Sequence, residues 1–510
     1  MRVLAKVRSC AMTGLDGYEV EVEVDISNGL PAFEVVGLPD PSVREARERV
    51  RSALRNSSFE FPNKRITVNL APADIRKEGT WFDLPIALGV LAASEQIDAS
   101  LLEGLFAIGE LALDGNLRSV NGVLPMAIAA GNSRPEGADL MVPAVNAKEA
   151  AFVKSVRVIG ASNLFEAVGH VLGNKDLRHP SVEMTDFLTG EERYDTDFSD
   201  IIGHETAKRA FEIAAAGGHN VLLVGPPGSG KTMLARSIPS ILPRLTEKEC
   251  LEVTKIFSLC GLLPSGEPLI RRRPFRSPHH SASSASIIGG GKNPRPGEVS
   301  LASHGVLFLD EFPEYQRDVL EALRQPLEDR VVTISRVAGV QTFPASFILV
   351  AAMNPCPCGH AGNPNKTCSC TPWQIDRYLK KVSGPLLDRI DIQLNVPVLK
   401  YEEMINTKNR EASAVIRARV EYARAVQRQR WGNYYSCNAE IRGRDIKLFC
   451  QIDQEADKLL KRAYQTMGLS LRAYDRILRV ARTIADLAGA SRIGSEHLAE
   501  AIQYRTWESK

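Results

Sequence analysis

Eight consecutive residues constrain this chain more than any others: Gly225-Pro226-Pro227-Gly228-Ser229-Gly230-Lys231-Thr232. They fit the pattern G-x-x-x-x-G-K-[ST]. The apolar run Val221 to Val224 precedes them and reads as a strand, and Met233 to Ile238 after them reads as helix. Glycines let a backbone wrap a phosphate so that its N–H groups point inward. The following helix adds the positive end of its dipole. Lys231 is placed to reach the β- and γ-phosphates, and the Thr232 hydroxyl to hold Mg²⁺. A strand–loop–helix unit of this kind belongs in a parallel sheet with helices on both faces, so the fold class is read as α/β.

The run Val306 to Leu309 supplies a second buried strand, and it ends in Asp310-Glu311. Asp310 is placed to complete the Mg²⁺ shell, and Glu311 to polarise a water for attack on the γ-phosphate. A third strand, Phe347 to Ala351, leads to Asn354, whose amide is suited to positioning that water. An Asn in a turn before Pro355 is the bland alternative.

The chain has 510 residues, enough for about three domains. With 63 Lys and Arg against 61 Asp and Glu, its net charge is +2, so bulk charge does not mark a nucleic-acid binder. The most apolar stretch, Leu84 to Ala93, is about half the ~18–20 residues needed to span a bilayer. The N-terminus has charge but no apolar core before a small-residue cleavage site, so no signal peptide is expected. Nine Cys, an odd number, argue against a disulfide framework and for a reducing, cytoplasmic compartment.

Composition and periodicity divide the chain into four. Residues 1–172 read as mixed α/β, with a strand at Tyr18 to Ile26, a basic amphipathic helix at Val43 to Leu54, a strand at Ile66 to Leu70 and a buried helix at Leu84 to Ala93. Residues 173–200 contain Pro180 and a run of acids, and read as a solvated linker. Residues 201–400 alternate strand and helix. Residues 401–510 read as helical, with a core stripe at Ala412, Ile416, Val420, Ala423 and Val426.

Four cysteines crowd into Cys356-Pro-Cys358 and Cys368-Ser-Cys370. Four thiolates in so short a stretch can make a tetrahedral Zn²⁺ site, with His360 as a substitute ligand. The usual C-x₂-C spacing is absent, and four ordinary thiols remain the alternative.

With these residues in view, 201–510 resembles an AAA+ ATPase of the magnesium-chelatase-like branch, with a helical lid. Asp200-Ile201-Ile202-Gly203-His204 resembles the segment that packs on adenine in such proteins. Leu386-Leu387-Asp388-Arg389 resembles the arginine-finger segment, and Leu469-Ser470-Leu471-Arg472-Ala473-Tyr474 the second sensor. The resemblance implies ATP and Mg²⁺ as cofactors, Arg389 acting across a subunit boundary, and Arg472 facing the nucleotide. Arg271-Arg272-Arg273-Pro274-Phe275-Arg276-Ser277-Pro278-His279-His280, the segment Phe33 to Pro39 and the Cys cluster are similar to the ComM/YifB group. That group implies a ring-forming, ATP-driven DNA motor of the branch-migration type, a homo-oligomer expected to be a hexamer.

Lys77-Glu78-Gly79-Thr80-Trp81-Phe82-Asp83-Leu84-Pro85 and Gly109 to Arg118 resemble the proteolytic domain of Lon proteases, a ribosomal-S5-like fold. Trp81 stands where that family carries its nucleophilic Ser, and Leu124 or Pro125 where it carries the activating Lys. Without both partners a Ser–Lys mechanism is lost.

The candidate DNA contacts are Arg271, Arg272, Arg273 and Arg276, the Gly- and Ser-rich stretch with Lys292 and Arg295, and Arg330 and Arg336 flanking a hairpin at Val331 to Ile334. Two other functions compete: ATP-driven remodelling of a protein, as in chelatases, and a regulatory ATPase beside a Lon-like protease.

Overall fold

The computed structural model describes residues 4–179, 182–188, 190, 194–264, 266–291, 293–336, 339–363, 366–399, 410–432 and 434–505. They form two compact units, one of residues 1–190 with 247–270, the other of 191–246 with 271–510.

In the first unit an eight-stranded sheet runs in the order Arg178–His179, Val156–Ala161, Ala138–Pro143, Leu105–Ala107, Leu4–Thr13, Asp16–Ser27, Arg65–Ala71, Ala32–Val36. The strand Asp16–Ser27 buries Val20, Val22 and Val24 and turns its acids outward, which is the period-two pattern read from the sequence. The helix Asp83–Ala93 is buried along its whole length, so it shows no polar face. The helix Glu247–Cys260 also belongs to this unit. Its Ser258 hydroxyl bonds the buried carboxylate of Glu149 and accepts the Gly122 N–H at 3.1 Å.

In the second unit five strands stand in the order Phe275–Arg276, Val306–Leu309, Ile348–Met353, Val221–Val224, Ile392–Asn395, and every neighbouring pair is parallel. The three central strands are buried on both faces, hence their unbroken apolar runs. A parallel sheet sends every strand's C-terminal end to one edge. Gly225, Asp310 and Asn354 each lie just past such an end, so topology alone gathers them. The opposite edge holds Asn220 and the segment Arg389 to Asp391. The helices Glu205–Gly217, Ser413–Trp431 and Leu471–Leu487 share one apolar core with this sheet.

Three expectations change. Residues 173–200 are not a plain linker: Arg178–His179 adds an antiparallel edge strand to the first sheet, Met184–Leu188 is helical, and Phe198 is buried in a capped turn. Residues 247–270, expected inside the 201–400 core, belong to the first unit. The stripe of the helix Ser413–Trp431 holds at Ile416, Val420 and Ala423 and departs at its two ends. Ala412 is exposed as its N-cap and Val426 is only half-buried, while Ser413, Ile416, Val420, Ala423 and Gln427 face inward. Ser413 is satisfied in its buried place by hydrogen bonds, to the Phe198 N–H at 2.8 Å and to Ser240 Oγ at 2.7 Å. Among the described residues no helix is long and apolar enough to cross a membrane.

Candidate nucleotide site and its surroundings

The phosphate loop is tied to its neighbours by backbone. Gly225 N donates to Met353 O at 3.2 Å, and a Cβ on Gly225 would meet Val396 O at 2.2 Å, so only glycine fits there. Gly228 and Gly230 have φ of 78° and 83°, a region that glycine enters without strain. The open side of Gly230 faces His204, which brings the segment 200–204 to the loop. Ser229 Oγ lies buried in the loop with no hydrogen-bond partner among the described residues. Lys231 Nζ donates to Gly225 O at 2.6 Å and Pro226 O at 2.9 Å, and lies 3.4 Å from Asn354 Oδ1. Burial lowers its pKa, against the opposing charge of Asp310.

Thr232 Oγ1 donates to Asp310 Oδ2 at 3.0 Å. Two adjacent oxygens of an octahedral Mg²⁺ shell at about 2.1 Å stand about 3 Å apart, so this pair fits that ion. Glu311 follows with φ of 51°, an uncommon left-handed backbone for a side-chain-bearing residue. Its carboxylate is 3.0 Å from His280 Nδ1. His280 comes from the segment after the strand Phe275–Arg276, which lies beside Val306–Leu309 in the sheet. The sequence offered His280 only as part of a motif. Its contact with Glu311 spans two strands and has no local signature.

The arginines stand elsewhere. Arg389 is 5% exposed. It pairs with Glu328 and donates to Pro385 O at 2.5 Å, while its own carbonyl accepts from Asn220 Nδ2 at 3.0 Å. Asn220 precedes the strand Val221–Val224 and the phosphate loop follows it. A four-residue strand is roughly 13 Å long. Arg389 is thus at the far edge of the sheet from its own phosphate loop. Although burial works the other way, Arg389 and then the charges of Arg472 and Arg476 hold the Glu328 carboxyl below its ordinary pKa. Arg472, exposed at the start of its helix, stands one turn before Arg476. Arg476 pairs with buried Asp391, which also accepts the Asn220 N–H at 3.0 Å.

The four cysteine sulfurs all lie within 4.8 Å of one another. Cys356 and Cys358 are 3.4 Å apart, Cys358 and Cys368 3.5 Å, and Cys356 and Cys368 3.7 Å. Four sulfurs at about 2.3 Å from a tetrahedral Zn²⁺ would be about 3.8 Å apart. Backbone N–H groups of Ala361, Cys358 and Cys370 point at Cys356, Cys370 and Cys368 sulfurs, as thiolate acceptors require. The donor set fits a Zn²⁺ ion. His360 Nδ1 is buried without a partner among the described residues.

The expected basic surface splits in two. Arg273 is tied to the carbonyls of Pro243, His304 and Arg244, and Arg276 makes a two-pronged pair with Glu298 at 2.6 and 2.8 Å. Arg330 donates to Phe347 O at 2.6 Å. Arg271 and Arg272 are half-buried. Lys292 lies outside the described residues. Arg295 and Arg336 are exposed, on two hairpins that touch: a Cβ on Gly289 would meet Ile334 Cδ1 at 2.9 Å, and one on Gly290 would lie 3.7 Å from an Arg336 nitrogen.

In the first unit, the Trp81 ring covers Gly79, whose φ is 99°. Leu124 is fully buried, and Glu149 accepts its backbone N–H at 3.0 Å. Neither position offers a nucleophile or a base. Purified protein should cleave neither casein nor a peptide ester. Activity that survives further purification and vanishes on deleting residues 1–172 would contradict this.

The all-parallel sheet, the Lys-Thr phosphate loop and the strand-end Asp-Glu and Asn define an AAA+ ATPase fold. Residues 197–404 match the family described as magnesium chelatase, subunit ChlI. Residues 22–146 match subunit ChlI of Mg-chelatase, and 410–505 its C-terminal family. The chain is 47% identical to competence protein ComM of Haemophilus influenzae over 98% of its own length and 97% of that protein's. It is 45% identical to protein YifB of Escherichia coli, over 98% and 97%. A partial likeness, 30% over 26% of each chain, reaches Lon protease 2 of Bacillus subtilis. The chain belongs to the ComM/YifB family of magnesium-chelatase-type proteins.

Proposed function

We propose that this protein is a ring-forming, ATP-driven DNA motor that moves branched junctions. The observation that carries the DNA part is the pair of exposed arginines, Arg295 and Arg336, on two abutting hairpins of the ATPase unit. A ring repeats both in every subunit, so a few cations per chain become a lining of charge. Phosphates carry no sequence information, so binding is sequence-tolerant and falls steeply with salt. The name of the competence relative supports a place in natural transformation or recombination.

Hydrolysis follows from the site. Lys231 leaves the loop carbonyls for the triphosphate, and Thr232 with Asp310 holds its Mg²⁺. Glu311 takes the proton of the attacking water, once released from His280, and Asn354 orients that water. Arg389, at the far edge of its own sheet, serves the site of a neighbouring subunit, and Arg472 acts from the same edge. The ring is read as a hexamer. Zn²⁺ on Cys356, Cys358, Cys368 and Cys370 completes the cofactors.

Four-way DNA should raise the ATPase rate and ATP should drive strand exchange. Arg295→Ala with Arg336→Ala should abolish junction processing and spare the DNA-free ATPase rate. Removing one phosphate-neutralising cation should lower the salt slope of binding by about 0.9. Undiminished processing by that variant overturns the hairpin assignment. Wild-type protein that neither binds DNA nor is stimulated by it leaves protein remodelling, the reading favoured by the chelatase match, in its place.

A further inference from the structure

The cysteine knuckle touches the nucleotide site at three points. Its entering chain is Asn354-Pro355-Cys356, so the first sulfur ligand is two residues from the amide that lies 3.4 Å from Lys231 Nζ. Its middle rests on the phosphate loop: a Cβ on Gly359 would stand 2.7 Å from Cδ and 2.8 Å from Cγ of Pro227. Gly359 has φ of 79°, so glycine is required there for backbone as well as for space. Its leaving chain is Cys370-Thr371, and Thr371 caps the helix Pro372–Leu379 with a reciprocal box through Gln374. That helix carries Tyr378, buried, whose hydroxyl lies near the Asn354 backbone.

Every one of these contacts depends on the shape of residues 356–370. The described residues of that stretch have almost no apolar core of their own, since Cys356 is their one fully buried cysteine and Cys358, Cys368 and Cys370 are half-buried. Four sulfurs converging on a point need a cation to hold them, because ionised thiolates repel and neutral thiols bond weakly. The knuckle is therefore ordered by its ligand, and the loop it braces is ordered with it.

We propose that Zn²⁺ in the four-cysteine knuckle is a positioning element for nucleotide binding: it fixes Pro227 of the phosphate loop through Gly359, and Asn354 through Cys356 and Tyr378. This rests on the zinc reading above and adds to it that the metal governs nucleotide affinity. A thiol-directed oxidant or a strong chelator would then lower affinity for nucleotide without touching any residue that contacts it.

The test uses the full chain, purified without chelator, with three measurements: metal by elemental analysis, helix content by circular dichroism, and affinity for a fluorescent ATP analogue. Wild-type protein should carry about one Zn²⁺ per chain. Stripping the metal should weaken the analogue by roughly 5- to 30-fold at native helix content, and Zn²⁺ should restore binding. Cys368→Ser should behave like the stripped protein. Gly359→Ala keeps all four ligands, and should keep the zinc while weakening the analogue by a similar factor. It also guards against a Cys368→Ser protein that fails to fold. Folded wild-type protein without metal overturns the zinc site itself. Zinc-free and zinc-loaded protein that bind the analogue equally, or a Gly359→Ala protein of native affinity, overturn the coupling and leave the zinc site standing.

Discussion

Glu311→Gln protein should bind ATP as the native protein does and hydrolyse it about 10²- to 10⁴-fold more slowly. The change keeps the shape and the oxygen facing His280, and removes the one property that matters, an oxygen able to take a proton. Asp310 cannot replace it, because its Oδ2 is turned to the Thr232 hydroxyl. Lys231→Ala should fail at the earlier step, losing nucleotide binding. Equilibrium binding and single-turnover hydrolysis separate the two. Native turnover by Glu311→Gln would remove Glu311 as the base.

Arg389→Ala should lower turnover by about 10³-fold or more, with the chain's own Lys231, Asp310 and Glu311 untouched. Since Arg389 stands a strand's length from its own phosphate loop, the defect should be repaired by a neighbour. Rings mixed from Arg389→Ala and Lys231→Ala subunits should regain activity, because an intact loop from one meets an intact arginine from the other. The pairing of buried Arg389 with exposed Glu328 complicates the alanine variant, which leaves that carboxylate without its partner. Glu328→Gln weakens the pair while keeping the arginine, and should leave assembled rings active. Mixed rings that form and show no rescue argue that Arg389 acts within its own chain or only in folding.

The candidate nucleotide site is legible because each part is encoded locally. A phosphate loop needs its glycines within eight residues, and an acid pair needs only the strand before it. A parallel sheet then collects strand ends without further instruction. Partners distant along the chain leave no such local mark. Arg276 and Arg330 look like free cations in sequence, but their partners are Glu298 and Phe347, on elements that touch only after folding. The helix Ser413–Trp431 keeps Ile416, Val420 and Ala423 inward as its pattern says, but at its start a buried serine, satisfied by Phe198 and Ser240, takes a position that polarity assigns to solvent. The helix Glu247–Cys260 has an ordinary amphipathic pattern, and nothing in that pattern says which core it joins.

That last helix bears on how the protein is made. The first unit is not finished when its 190 residues have left the ribosome, for it lacks the helix that satisfies Glu149 and Gly122. It must wait until residue 270 has emerged, and by then the phosphate loop at 225–232 is already outside. The two units are therefore interleaved in synthesis, and neither can be cut free at a single peptide bond. A fragment beginning at residue 201 would carry the helix with Cys250, Val253 and Ile256 bared to water, and one ending at residue 200 would lack it.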